Sequence, residues 1–210
     1  NKGMGTLIGS IKDISPRVVT VIGAGVAGTE AIEKAINNKA HIKIIDLSQK
    51  RLDELEQVYG NSNIEYILST EDAITNALKE SDLVIGAVYV IGKQAPKVVT
   101  KSMLSSMKPG AVLVDISIDQ GGCFESSKPT THDAPTYIEN DIVHYCVTNM
   151  PGAVPLTATQ ALNKATLPYV LELANKGVEK ALEENKHLAN GLNIKNSEVV
   201  HEAVKEALSV

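Results

Sequence analysis

The sequence predicts an α/β fold, a doubly wound parallel sheet followed by a C-terminal helical extension. Three observations predict it. Short β-branched runs recur up to about residue 150, helical patterns fill the gaps between them, and a glycine-rich turn joins the first run to the first helix.

The run at 17–22 (RVVTVI) shows no alternation with polar residues, the pattern of a strand covered on both faces. Gly23-Ala24-Gly25-Val26-Ala27-Gly28 follows, and Ala31, Ala35 and Ile36 then recur at helical spacing until about Asn37-Asn38. His41–Asp46 (HIKIID) reads as the second strand and Gln49–Tyr59 as an amphipathic helix closed by Gly60. Further strands are expected at Ile64–Leu68, 82–87, 111–115 and 142–147, with helices at Glu71–Glu80 and 97–107, the latter stopped by Pro109-Gly110. Beyond Pro151 the text changes. One long helical stretch rich in Ala and Leu is expected over 155–185, a second helix over 198–208, and no strand in this tail. The expected division is a nucleotide-binding domain over 1–154 and, over 155–210, helices that pack on another domain or subunit.

Composition removes several classes of function. A chain of 210 residues buries roughly 70% of its unfolded surface, enough for a core without disulfides or structural metals. With 43% hydrophobic and 21% charged residues it is neither disordered nor fibrous. The net charge of -5 offers no basic footprint for a nucleic-acid backbone. Cys123 and Cys146 fit no disulfide framework, no CxxC pair and no zinc cluster, and suit a reducing cytosol. The longest apolar stretch, 83–91, is about half of a membrane span and contains Gly86. No secretory signal is visible at Asn1, so a cytoplasmic protein without a membrane partner is expected.

The chemistry concentrates in three places. G-x-G-x-x-G alone is a weak signal, but here it follows a strand, opens a helix and precedes an acid, Asp46, at the end of the next strand, close to the expected ~20 residues from the last glycine. Gly23 permits the tight turn, Gly25 lets a pyrophosphate approach the backbone, and Gly28 lets the helix lie against the strand. The free N–H groups at the helix start then attract phosphate. Asp46 would accept the adenosine ribose hydroxyls and repel a 2′-phosphate, which favours NAD over NADP. Arg51 is near enough to reach a 2′-phosphate, or to contact the adenine or ribose edge, or to lie on the helix surface. The plain alternative to all this is an ordinary strand–turn–helix with an incidental acid.

The second place is Val114-Asp115-Ile116-Ser117-Ile118-Asp119-Gln120-Gly121-Gly122, which runs off the carboxyl end of the fifth strand, where ligands of open parallel sheets bind. Asp119 is either placed for chemistry there or caps a turn. The fourth strand ends near Gly86-Ala87-Val88-Tyr89, small residues that leave room for a nicotinamide or for sheet–helix packing. The third place is Val147-Thr148-Asn149-Met150-Pro151-Gly152-Ala153-Val154-Pro155, a stiff loop in which Asn149 offers an amide and Pro155 suits a first helical turn. It can be a ligand contact, a rigid elbow, or both. The five histidines show no ligand spacing; His132, His187 and His201 read as solvated, and Cys123 as a packed free thiol.

Together these residues resemble the alanine dehydrogenase family over essentially the whole chain. The resemblance rests on Gly23-Ala-Gly25-Val-Ala-Gly28, Asp82-Leu-Val-Ile-Gly86-Ala-Val, Lys108-Pro-Gly-Ala-Val-Leu-Val-Asp115, Ile118-Asp-Gln-Gly-Gly122, Thr130-Thr-His-Asp133 and Asn149-Met-Pro-Gly-Ala-Val-Pro155. It implies an NAD-dependent enzyme, usually a homohexamer, that reversibly deaminates L-alanine to pyruvate and ammonium. It also implies roles for individual residues. Val26 and Ala27 match phosphate-loop contacts, Asp46 and Arg51 match adenosine-ribose contacts, and Ser69 lies near the adenine. Val88 and Tyr89 match residues along the cofactor; Ile116, Ser117, Ile118 and Asp119 line its nicotinamide end; Val147, Thr148, Asn149 and Met150 close the pocket. Asp119 matches the catalytic aspartate. Where some members carry a Glu and a His four apart for magnesium, this chain has Glu172 and Lys176, so no metal is expected. In the family the substrate-binding Arg and Lys and the catalytic His precede the nucleotide domain. The chain therefore reads as the later portion of such an enzyme, inactive by itself. Two other classes share the fold: the NAD(H)-binding component of proton-translocating transhydrogenase, and a non-catalytic NAD-sensing module.

Overall fold

The structure is a computed structural model that describes residues 3–60 and 62–208. Its elements follow the chain as β1 (Val18–Ile22), α1 (Val26–Asn37), β2 (His41–Asp46), α2 (Gln49–Tyr59), β3 (Ile64–Leu68), α3 (Glu71–Glu80), β4 (Leu83–Gly86), α4 (Lys101–Leu104) and β5 (Val112–Asp115). A 3₁₀ turn (Ile116–Gln120) leads on to β6 (Thr136–Glu139) and β7 (Ile142–Tyr145). After a second 3₁₀ turn (Met150–Ala153) come α5 (Pro155–Lys176), α6 (Val178–Glu184), α7 (Lys186–Ala189), β8 (Ile194–Lys195), β9 (Glu198–Val199) and α8 (Glu202–Leu208).

The chain divides into two compact units. One comprises the residues up to Val90 together with Gln94–Thr148; the other comprises Ile91–Lys93 and the residues from Asn149 onward. The first unit holds a seven-stranded sheet in the order β3-β2-β1-β4-β5-β7-β6, in which only β6 runs antiparallel, to β7. This is the doubly wound sheet expected from the sequence. The connections leave β1 in opposite directions, toward β2 on one side and β4 on the other, so the crevice at their carboxyl ends is a topological switch point.

Burial on both faces explains the unbroken apolar runs. Val19, Val21, Ile42 and Ile44 join Ile32, Leu52 and Leu55 in one core cluster. Ile22 and Ile45, one step out of phase, join Ile74, Leu78, Leu104, Leu113 and Phe124 in the other. Each fully buried side chain of this size contributes about 1.5–3 kcal/mol. The polar interruptions of those strands are paired: Thr20 Oγ1 lies 2.6 Å from Ser81 Oγ, and Lys43 Nζ donates to Glu80 at 2.7 Å and Glu65 at 3.2 Å.

Four elements depart from the sequence expectation. The helix expected over 97–107 is only Lys101–Leu104, because the preceding stretch is drawn into long-range pairing: Val98 N–H donates to the Cys123 carbonyl at 2.8 Å, and Val99 bridges Phe124. Strand β6 was not expected; it is a short, half-exposed edge without an apolar run. In the tail the helix begins at Glu202, not 198, because Asn196 and Ser197 take left-handed φ of 50° and 69° and turn β8 back onto β9 as a hairpin. The long helix also breaks at Gly177 (φ +76°), which separates α5 from α6. None of the 22 residues of α5 is buried, and Leu156, Leu162, Leu167 and Val170 lie exposed along it. His201, expected to be solvated, is half-buried.

One buried group links this fold to pH. His144 in β7 stacks on Tyr137 with ring centroids 4.8 Å apart. Its Nδ1 faces the Ile142 carbonyl at 3.0 Å and its Nε2 the Ser126 hydroxyl at 2.8 Å, so Nδ1 carries the proton and Nε2 accepts. Burial lowers its pKa from the usual histidine value, so the folded state binds fewer protons than the unfolded one. The stability this contributes is complete above the unfolded value of about 6.5 and is lost as pH falls through it. Urea unfolding midpoints of the full-length protein should therefore drop between about pH 7.5 and about pH 5.5, and His144→Gln should flatten that slope. Equal slopes for the two proteins would remove His144 as the cause.

Candidate functional site

A cavity of about 710 Å³ opens at the carboxyl ends of β1, β2 and β4. Its floor is the glycine turn. Gly23 follows β1 at φ +93°, and a Cβ there would stand 2.6 Å from the Ala87 carbonyl oxygen. A Cβ on Gly28 would stand 1.9 Å from the Gly23 carbonyl oxygen, so only glycine lets α1 come this close to the turn. At Gly25 nothing lies within 4 Å, which leaves an open cradle on the cavity side. Gly25 is also the N-cap of α1, without a side-chain cap and without an acid in the first turn. The first-turn N–H groups are therefore unsatisfied by the helix, and together with its dipole they suit an anion. Gly23, Gly25, Val26 and Ala27 line the cavity; Gly28 acts beneath it, through packing.

Asp46 ends β2 at the cavity wall. Its carboxylate accepts the Ala24 N–H at 2.7 Å and the Ser48 N–H at 2.8 Å, one on each oxygen. It is thus held against the turn, with lone pairs left for other donors. Ser69 and Val88 also line the cavity, as does Tyr89, which is largely exposed. The Ser69 N–H donates to the Asp46 carbonyl at 2.9 Å.

Arg51 lies on α2, and its guanidinium turns toward the glycine turn. Its Nε donates to the Ala24 carbonyl at 2.9 Å, one terminal nitrogen to Thr29 Oγ1 at 2.9 Å, and the other to Glu54 at 3.3 Å. It ties α2 to the back of the glycine turn and does not line the cavity.

Ile116, Ser117, Ile118 and Asp119 form the 3₁₀ turn after β5, outside the cavity lining. Ser117 and Ile118 are buried and Asp119 is exposed. The Ser117 hydroxyl donates to the Val88 carbonyl at 2.8 Å, which joins this turn to the cavity wall. Val147 is buried and bridges Thr130, whose carbonyl accepts the Thr148 N–H at 3.1 Å. Asn149, in left-handed conformation, and Met150 belong to the second unit, where they begin its first 3₁₀ turn. Glu172 and Lys176 form an ion pair at 2.8 Å. Among the described residues no group of three His, Cys, Asp or Glu side chains stands together as a metal site.

Two groups of residues escaped the sequence reading. Leu47, Pro96 and Val98 line the cavity, and an apolar residue beside a ligand carries no motif. Asp115 is fully buried and accepts the N–H groups of Ser117 at 3.0 Å, Cys123 at 2.9 Å and Phe124 at 3.3 Å, together with the Ser127 hydroxyl. It fastens both ends of the loop that carries Asp119. Cys123 packs against this carboxylate, and burial and the neighbouring negative charge push its thiol pKa well up, so it is an inert core thiol.

Comparison with known proteins agrees with this geometry. Residues 1–202 match the family model described as alanine dehydrogenase/PNT, C-terminal domain. The alanine dehydrogenase of Halomonas elongata is 50% identical over 208 residues, which are 99% of this chain and 56% of that protein. That of Staphylococcus haemolyticus is 48% identical over 211 residues, again 56% of its length. This chain therefore spans little more than half of these relatives. A solved L-alanine dehydrogenase superposes with a TM-score of 0.88 at 47% identity, covering 99% of this chain and 57% of that one. A transhydrogenase from Sinorhizobium meliloti shares the fold, with a TM-score of 0.77 at 20% identity over 95% of this chain and 57% of that one. With the matching model covering nearly all of its residues, and relatives sharing half of its sequence, this chain belongs to the alanine dehydrogenase/PNT C-terminal domain family.

Proposed function

We propose that this chain is the NAD-binding portion of an NAD-dependent alanine dehydrogenase, which reversibly converts L-alanine, NAD and water to pyruvate, ammonium, NADH and a proton. The observation that carries the reading is the open cradle at Gly25 beside a carboxylate, Asp46, already oriented by the turn's own Ala24 N–H. Gly25 and the first turn of α1 would hold the pyrophosphate, and Asp46 would accept the ribose hydroxyls. Leu47 and Ser69 would flank the adenine, and Val88 and Tyr89 would line the way toward the nicotinamide.

NAD, when bound, supplies the hydride acceptor. Loss of hydride from the α-carbon of alanine leaves an iminium, which water attacks to give a carbinolamine that collapses to pyruvate and ammonium. Asp119 is the acid of the 3₁₀ turn at the carboxyl edge of the sheet, and its role is to steady the positive charge and orient the attacking water. The substrate carboxylate and the exchanged proton are handled by residues outside this chain. The helices from Pro155 on belong with that substrate-binding part, a reading supported by the exposed leucines of α5. The intact enzyme is a cytoplasmic homo-oligomer, with neither a nucleic acid nor a membrane as partner. The net charge of -5 supports the lack of a nucleic-acid partner.

The direct test is NADH production by the full-length protein with L-alanine. Turnover without any added partner supports the dehydrogenase. A requirement for an NADP(H)-binding partner would make it a transhydrogenase component, and NAD binding without turnover a sensing module.

Specificity is tested at Asp46. Replacing it with Gly removes acceptors from the ribose and should weaken NAD binding about tenfold, while NADP, no longer repelled, should bind no worse. The preference narrows from the NAD side, because Arg51 stays tied to Ala24 and Thr29. If the wild-type protein binds NADP as tightly as NAD, Asp46 does not meet the ribose.

Asp119→Asn should lower kcat by about two to four orders of magnitude, the range of a positioned acid–base group, with NAD affinity little changed. A variant that turns over normally but binds NAD poorly would make Asp119 a cofactor-positioning residue.

A further inference from the structure

The stretch 94–99 touches both the cavity and the turn that carries Asp119. Pro96 and Val98 line the cavity. The backbone of the same stretch is bonded to the turn, through Ala95 N–H to the Gln120 carbonyl at 3.0 Å and Val98 N–H to the Cys123 carbonyl at 2.8 Å. Lys97 stands between these two cavity residues. Its Nζ donates to the carbonyl of Gly121 and, at 2.7 Å, to that of Gly122. Both glycines have left-handed φ, +86° and +75°, so this is the part of the loop with the most freedom to lose on ordering. A Cβ on Gly122 would stand 2.7 Å from Asp115 Oδ2, which excludes a stiffer residue as the way to hold it. Asp115 fastens the loop from within through Ser117, Cys123 and Phe124, and Lys97 fastens it from the exposed side. Asp119 lies between the two fastenings.

We propose that Lys97 is a positioning residue. Its charge-assisted hydrogen bonds lock the Gly121-Gly122 turn and thereby set the place of Asp119, and they tie that place to the cavity wall formed by Pro96 and Val98. The consequence for turnover rests on the dehydrogenase reading; the lock itself rests on the geometry alone.

The test compares wild type, Lys97→Met and Lys97→Arg in the full-length protein by three measurements: amide hydrogen exchange, NADH affinity and kcat with L-alanine. The amides of Gly121 and Gly122, bonded to the carbonyls of Ile118 and Ser117, report the turn directly. Lys97→Met should speed their exchange about tenfold and lower kcat by about ten- to a hundredfold, with NADH affinity within about threefold; Lys97→Arg should restore most of both losses. Unchanged exchange overturns the proposal, whatever happens to turnover. Faster exchange with unchanged kcat overturns the link to Asp119, and weaker NADH binding with unchanged exchange makes Lys97 a cofactor contact. A wild-type protein that makes no NADH from alanine defeats the dehydrogenase reading, while the exchange rates still decide the lock.

Discussion

The first unit is organised around a close approach of three backbone segments. The Gly23 carbonyl sits where a Cβ on Gly28 would have to be, and the Ala87 carbonyl sits where a Cβ on Gly23 would have to be. Only because neither residue has a side chain can the start of α1 drop into the gap between β1 and β4. The remaining features of the cavity inherit this geometry. The uncapped N–H groups of α1 face the cavity, Asp46 can take the Ala24 N–H, and Arg51 can grip the same turn from behind. A methyl group at Gly28 would push α1 off the turn and undo all three at once, although it is a small change chemically.

The loop after β5 meets a different constraint. A segment that leaves a buried strand must satisfy its backbone N–H groups without a helix or a ladder. Asp115 solves this with one carboxylate, which collects three N–H groups and a hydroxyl at full burial. Such a network is rigid only while complete, since an unpaired buried acceptor or donor costs about 1–3 kcal/mol. The surroundings are correspondingly tight: Cys123 and Phe124 fill the space in which a Cβ on Gly86 would collide, and Ser117 reaches across to the Val88 carbonyl. The end of β4 and the loop after β5 are therefore packed and hydrogen-bonded to each other.

The second unit obeys the opposite economy. Its longest helix, α5, buries none of its residues, and its local bonds are those of a helix surface: Lys176 bridges Glu172 and Glu184, while Asn185 caps α7 and donates to Glu172. Exposed ion pairs of this kind contribute little. Leu156, Leu162, Leu167 and Val170 lie exposed along α5, so the unit draws little of its stability from burying this helix.

What the sequence determined by itself was whatever depends on neighbours a few residues apart. The doubly wound order followed from unbroken apolar runs, the start of α1 from Gly23, Gly25 and Gly28, and the end of α2 from Gly60. The positions of Gly25 and Asp46 beside a cavity were legible for the same reason, since a strand, a turn and a helix start are local events. The tertiary structure alone decided what joins distant segments. It shortened the helix expected over 97–107 by pairing Val98 with Cys123, and turned Arg51 back onto Ala24. It also revealed Asp115 as the centre of its loop and aimed Lys97 at Gly121 and Gly122. Two hairpins were missed within local range, β6–β7 at Asn140-Asp141 and β8–β9 at Asn196-Ser197, because these pairs are weaker turn signals than a glycine pair. The other contacts pair residues 8 to 27 positions apart, and no propensity or period carries information over that range. A hydrogen bond between such residues exists only once the sheet has brought their segments together.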